Sequence, residues 1–289
     1  MSDAMYALNV GKLDGLVKGF RANYHIHTFM SDGSSKPADY VEKAAEAGLT
    51  EIGFTDHLVI LDDANVGLGS LDPSRIDAYI EAVESVKRSS KNVIVKCGLE
   101  VDYTPGGFKR VEEILKSYGD DLDYTLMGVH IIDDFQFDAP ESISTWRSLS
   151  QNEIDKLYKR YYMLVLEGVE TGVFTVVAHL DIVKKFGFKP SEEPLKLVES
   201  ILESVKVLGM AIEVSSAGLR HPVKELYPSD RIVDMLAVLQ VPVVMATDAH
   251  KPEDVSNGLE VVVELIKRKR LPLAIPNARL KILDPLKVL

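Results

Sequence analysis

The chain is 289 residues long, 46% hydrophobic and 27% charged, enough apolar material for one large folded domain and far from the disordered and low-complexity classes. Its 33 basic against 44 acidic side chains give a formal charge of −11, so broad binding to nucleic acid or an anionic membrane is not expected unless a metal or a local basic pocket reverses the sign. The single cysteine, Cys97, cannot form an internal disulfide, no apolar run reaches the ~18 residues that span a bilayer, and residues 1–5 lack the basic start of a signal peptide, so a soluble cytoplasmic protein is expected.

Residues 1–21 precede the first strand-like run and read as an N-terminal extension, with 12–20 open to a short helix or a loose tail; residues 22–289 read as one domain. Runs rich in β-branched and apolar residues predict strands over 22–27, 51–57, 93–101, 123–130, 174–180, 210–215 and 241–247. Helical spacing predicts helices over 37–47, from 72 to about 89, and over 152–170, 191–208, 229–239 and 252–269. Pro37 stands near one helix start, and Gly48 and Gly209 stand at helix ends. Strands alternating with helices imply right-handed βαβ units and a parallel sheet. Seven of them fit a closed or nearly closed barrel better than a small open sheet, an open doubly wound sheet being the alternative.

Six of the seven histidines fall at strand ends: His25 and His27 on the first, His57 on the second, His130 on the fourth, His179 on the fifth and His250 on the seventh. Glu100, Asp181, Glu213 and Asp248 share these positions, and only His221 lies in an obvious loop. A parallel barrel opens all its strand C-terminal ends on one face, so these groups should converge there. The pairs His25/His27 and Asp248/His250 are spaced two apart, which a strand presents on one side. One histidine on a strand is more often a hydrogen-bonded core or surface residue. Six with carboxylates, converging without a cation, would repel or lie unsatisfied. Imidazole and carboxylate donors suit Zn, Mn or Fe, and there are too many for one four-coordinate ion, so a cluster of two or three metals is the natural reading.

The ordered motifs His25-Ile26-His27-Thr28, Ser31-Asp32-Gly33, Thr55-Asp56-His57, Gly98-Leu99-Glu100, Gly128-Val129-His130, His179-Leu180-Asp181 and Thr247-Asp248-Ala249-His250 resemble those of the PHP-domain family (polymerase and histidinol phosphatase). Within that family the stretches Val129-His130-Ile131-Ile132, Phe137-Asp138, Tyr158/Tyr161/Tyr162 and 213–220 are most similar to histidinol-phosphate phosphatases, although Ser215, Ser216 and Ala217 depart from the usual Asn-Thr-Ser. The resemblance implies an α/β fold, a distorted (β/α)7 TIM-like barrel, with three divalent metal ions (Zn, Mn or Fe). Carried over by position, one ion takes His25, His27, Glu100 and Asp248. A second shares Glu100 and takes His130 and His179. A third takes Asp32, His57 and His250, where Asp32 otherwise reads as a turn residue before Gly33.

The activity implied is hydrolysis of L-histidinol phosphate, a step of histidine biosynthesis, by a hydroxide bridging two metals. The small phosphate monoester is then the partner, with no membrane or nucleic acid expected and a homo-oligomer left open. Asp248, His250 and Arg220 are the candidate catalytic residues. Arg220 is the first candidate to grip phosphate and Arg160 the second, with His221 assisting; Glu213, Asp133, Asp134 and Asp138 are candidate contacts for the amine and imidazole of histidinol at the pocket mouth. The alternatives are a phosphotyrosine phosphatase or a 3′-5′ nuclease of short oligonucleotides on the same scaffold. For the nuclease only Lys184-Lys185-Phe186 and residues 267–270 offer basic clusters. A non-enzymatic metal-binding scaffold would not need the full ligand set.

Overall fold

A computed structural model describes residues 19–62 and 65–289, so the helix or tail considered over 12–20 falls, up to residue 18, outside the described residues. The backbone NH groups of Gly19 and Phe20 donate to the Val288 carbonyl (2.9 Å each), and Phe20 is buried.

The first half of the barrel is built from β1 (Ala22–Asn23), helix α1 (Pro37–Glu46), β2 (Glu51–Phe54), the short β3 (His57–Leu58), α2 (Ile76–Ser89), β4 (Ile94–Asp102), α3 (Phe108–Tyr118) and β5 (Tyr124–Gly128). A small antiparallel hairpin, β6 (Ile131–Ile132) with β7 (Phe135–Gln136), and helices α4 (Ile143–Ser148) and α5 (Gln151–Glu170) lead to β8 (Val176–Val177). The rest is α6 (Leu195–Val207), β9 (Ala211–Ser215), α7 (Ala217–Arg220), α8 (Asp230–Leu239), β10 (Val243–Ala246), α9 (Leu259–Lys269), β11 (Leu273–Ile275), β12 (Lys281–Leu283) and α10 (Pro285–Val288). The seven strands β1, β2, β4, β5, β8, β9 and β10 run parallel and in chain order, with β3 beside β4 and β11 and β12 extending the β10 edge. Helices on the outside leave both faces of the strands buried, which is why the strands read as near-continuous apolar runs rather than alternating ones.

The two ends of this path meet. Tyr24 N donates to Met245 O (3.0 Å), Ala249 N to His25 O (3.1 Å) and His27 N to Ala249 O (2.9 Å), and Ile26 bridges Ala249 in parallel register. The seam is an isolated bridge rather than a ladder, which is the distortion of this TIM-like barrel. Asn23 reinforces it: its Nδ2 donates to Thr247 Oγ1 (2.7 Å) and Val255 O (2.9 Å), and its Oδ1 accepts from Thr247 N (3.0 Å) and His25 N (3.1 Å).

Several expected boundaries shift for local reasons. The helix expected from residue 191 begins at Leu195, because Pro194 disfavours helical geometry at Glu193, and Ser191 instead donates to Asp155. The single helix expected over 252–269 breaks into a 3-10 turn (Pro252–Asp254) and α9, with Gly258 at φ +75° between them. Helix α3 was not anticipated, although Phe108, Val111, Ile114, Leu115 and Tyr118 recur at helical spacing and pack on the core; the signal was present in the sequence and was missed. Strands β11 and β12 are three residues each, too short for a sequence signal.

Inside the barrel Tyr124 crosses under the first strand, its hydroxyl donating to Tyr24 O (2.7 Å). Gly53 makes this room: a Cβ built there would lie 2.0 Å from Tyr124 Oη. Gly53→Ala is therefore expected to cost about 1–3 kcal/mol of stability by overpacking, read as a lower urea midpoint. An unchanged midpoint would show that the ring yields without strain.

Candidate metal centre

The C-terminal ends of the parallel strands gather one buried carboxylate and five imidazoles. Glu100, fully buried on β4, has Oε2 at 3.0 Å from His25 Nε2, 3.5 Å from His27 Nε2 and 3.0 Å from His57 Nδ1. Its Oε1 lies 2.9 Å from His179 Nε2 and 3.7 Å from His130 Nε2. The register explains the convergence: His57 on β3 pairs directly with Glu100 on β4, and the seam sets His25 and His27 against Asp248 and His250.

Asp248 and Asp32 complete the group. Asp248 Oδ1 is 3.2 Å from His27 Nε2, 3.6 Å from His25 Nε2 and 3.5 Å from His250 Nδ1. Asp32 Oδ2 is 3.2 Å from His250 Nε2 and 3.8 Å from His57 Nε2, and its Oδ1 is 3.8 Å from His27 Nδ1. All nine side chains expected to bind metal therefore meet in one place. They do not divide into three separate sets, since His27 faces Asp248 with one nitrogen and Asp32 with the other, and His57 faces both Glu100 and Asp32. The centre also has two levels: the Glu100 side chain and those of His25 and His27 are fully buried, whereas Asp32 and His250 are 38% and 35% exposed.

A loop network presents Asp32. Asp56 Oδ1 accepts from Thr28 N (3.0 Å), Thr28 Oγ1 (2.9 Å), Ser31 N (2.9 Å) and Ser31 Oγ (2.8 Å), fixing the chain between His27 and Asp32. Asp248 sits at φ +53°, a costly conformation for a non-glycine residue, and Arg220 Nη2 holds it by donating to Thr247 O (2.5 Å) and Asp248 O (3.0 Å).

The donors fit divalent cations. Ligand atoms about 2.0–2.2 Å from one ion stand roughly 3–3.5 Å apart, close to the separations around His25, His27, Glu100 and Asp248. Both ring nitrogens of His27 and Nδ1 of His57 are buried without a hydrogen-bond partner, a cost that coordination would remove. Burial, then His250 and His57, lowers the His27 imidazole to about 3, keeping it neutral and able to donate a lone pair. Burial opposes ionisation of Glu100, yet His25, His57 and His130 hold its carboxyl well below the usual range. Burial likewise opposes charge on His130, but Asp102 and Glu100 raise it to about 10. These carboxylates draw positive charge into a buried space, where every ion-pair partner of Glu100 among the described residues is a histidine.

The remaining candidates scatter. Glu213, expected at the pocket mouth, is fully buried behind the cluster, its Oε2 2.6 Å from His25 Nδ1; it lies mid-strand on β9, where the pleat turns it inward. Asp138 is paired with Lys185 (3.1 Å). Arg160 pairs with Asp133 (3.0 Å) and Glu167 (3.2 Å), and borders a cavity of about 740 Å³ with Thr104, Ile131, Asp134 and Gln136. Arg220 Nη1 is buried without a partner beside Asp248, and burial with nearby Lys185 lowers His221 to about 4, leaving it neutral. Asp181 turns away to Lys184 (2.8 Å) and Ser229 N (2.8 Å). Asp102, which the sequence reading passed over, bonds His130 Nδ1 (2.7 Å); its place two residues after Glu100, on the same side of β4, was the available signal.

Gly128 lets this wall close: a Cβ there would lie 2.8 Å from Glu100 Oε1 and 2.9 Å from His130 Cε1. Gly128→Ala should weaken divalent-metal affinity by about 10–100-fold in a protein that still folds. Isothermal titration with zinc checks this, and parent-like affinity would mean that the wall relaxes freely.

The family model described as PHP domain matches residues 23–217. A Deinococcus radiodurans protein named as a probable histidinol-phosphatase is 31% identical over 233 residues, covering 80% of this chain and 86% of that one. The Bacillus subtilis histidinol-phosphatase is 26% identical over 260 residues, covering 83% and 97%. The fold is similar to that of Lactococcus lactis histidinol phosphate phosphatase, solved with zinc, L-histidinol and phosphate, at a TM-score of 0.73 and 20% identity over 90% of this chain and 98% of that one.

Proposed function

Because this chain belongs to the PHP-domain family, we propose that it is a metal-dependent phosphomonoesterase that hydrolyses L-histidinol phosphate to L-histidinol and phosphate. The observation that carries the reading is Glu100 with five imidazoles on its two oxygens, a donor set built for more than one cation. The names of the similar proteins supply the substrate. No helix among the described residues is long and apolar enough to cross a membrane.

We assign three divalent ions to the site, zinc, manganese or iron. His25, His27, Glu100 and Asp248 hold the first, Glu100, His130 and His179 the second, and Asp32, His57 and His250 the third. Bound there, divalent ions supply Lewis acidity toward phosphoryl oxygens and bring the pKa of a coordinated water toward neutrality. The protein's own residues do the rest. Glu100 and Asp248 would keep the floor anionic enough to hold divalent cations. Arg220, anchored on the Asp248 backbone with Nη1 unspent, is placed to donate to a phosphate oxygen. His221, neutral beside it, adds a second donor. Arg160, Asp133 and Asp134 border the cavity of about 740 Å³, whose acids would suit a cationic organic group.

Of the basic clusters that would favour an oligonucleotide, Lys184 and Lys185 are committed elsewhere, Lys184 to Asp181 and Glu225 and Lys185 to Asp138. A panel of L-histidinol phosphate, phosphotyrosine and a dinucleotide, run with elemental analysis, tests the assignment. The first should be turned over far faster than the others, and His27→Ala and Asp248→Asn should each abolish that turnover with an unchanged far-UV circular dichroism spectrum. Full activity in both variants would remove the metal reading, and a preference for another ester would remove the substrate. Arg220→Ala should lower kcat/KM for L-histidinol phosphate by about 10–100-fold, mainly through KM; a steady-state assay showing less than a twofold change would free Arg220 from the phosphate.

A further inference from the structure

We propose that Glu213 and Asp102 are positioning residues that preset two imidazoles for metal binding, an inference that rests on the metal reading above. His25 Nδ1 lies 2.6 Å from Glu213 Oε2, and its other nitrogen, Nε2, lies 3.0 Å from Glu100 and 3.6 Å from Asp248. His130 repeats the arrangement: Nδ1 is 2.7 Å from Asp102 Oδ1, and Nε2 is 3.7 Å from Glu100. An imidazole that binds a cation gives up one proton and keeps the other. A carboxylate on Nδ1 fixes that proton there and leaves the Nε2 lone pair facing the centre.

Neither carboxylate has another evident purpose. Both are buried, at 0% and 1% exposure, and the only ion-pair partner each has among the described residues is its histidine. Asp102 is clamped further, since its Oδ2 accepts from the His130 backbone NH (3.3 Å). Glu213 Oε1 is buried with no partner, so this side chain bears the cost of burial for a single contact. Both are carried on strands, β9 and β4, and so are placed by the sheet rather than by a loop. His27 has no such carboxylate behind it, and its two nitrogens remain free to face both levels of the site. Two rings of the buried level are thus oriented before any ion arrives, which lowers the ordering cost of binding.

The test is zinc affinity of the full chain, stripped and reloaded in competition with a chromogenic chelator. Glu213→Gln and Asp102→Asn keep side-chain volume and should each weaken the tightest zinc binding by about 10–100-fold, with cooperative melting of the stripped protein preserved. Glu51→Gln is the control. Glu51 is an equally buried carboxylate, ion-paired with Lys96 (3.4 Å) at the opposite end of the barrel, so its loss should leave zinc affinity unchanged. Parent-like affinity in either test variant overturns the assignment for that carboxylate, and an equal loss in Glu51→Gln overturns both. A parent protein that binds no zinc would instead overturn the metal reading itself.

Discussion

A carboxylate taken wholly out of water costs several kcal/mol unless charge and hydrogen bonds replace the lost solvent. Glu100 is such a carboxylate, and its surroundings are organised around that cost. Its five imidazole partners come from the ends of β1, β3, β5 and β8, so no single supersecondary unit could satisfy it. The barrel is what brings these ends to one rim. Neutral imidazoles alone give only hydrogen bonds, and protonated ones would crowd like charges at ring separations of 4.2 Å for His27 with His57 and with His250. Divalent cations resolve the conflict, because they neutralise carboxylates and use imidazole lone pairs at once. In a chain of net charge −11, cations held there would supply the local positive charge that an anionic ester needs.

The seam is the second dependency. His25 and His27 belong to the first strand, Asp248 and His250 follow the last, and the only sheet contact between them is the bridge of Ile26 to Ala249 with its flanking hydrogen bonds. Asn23 is therefore more than a buried amide. By bonding Thr247 from both sides it sets the relative height of the two strands, and with it the distances between His27 and Asp248. Arg220 acts on the same joint from outside, stabilising the positive-φ turn at Asp248. A residue that donates to phosphate and also braces a metal-binding loop would couple substrate docking to the geometry of the centre.

How much of this was legible depended on the kind of signal. Residues at strand ends were readable because a parallel barrel turns linear order into a common face, whereas Asp32, on a loop, entered only through the family resemblance. Glu213 was read as a mouth residue because an acid there would suit the amine and imidazole of histidinol, whereas β9 places it beneath His25. What decides is its position along the strand, and strand limits are known from sequence only to within a few residues. Asp102 was hidden differently: an acid beside an acid on one strand looks redundant until the fold shows His130 between it and Glu100. Asn23 could not have been found, since its partners lie 224 and 232 residues away. Two helix boundaries moved for local reasons, at Pro194 and Gly258, whereas helix α3 was missed outright.

The two levels of the centre bear on how it would work. At the buried level, proteins gain by rigidity: fixed rings and shared carboxylates hold cations at set distances whatever the substrate. At the exposed level Asp32 sits on a loop tied to the barrel through Asp56, and His250 on the turn braced by Arg220. A site that must bind an anion, strain toward a more highly charged transition state and then release phosphate benefits from that division, because tight retention of every part would stabilise product as well as transition state. The partly exposed Asp32 and His250 would then form the rim that an ester meets, above the fully buried Glu100.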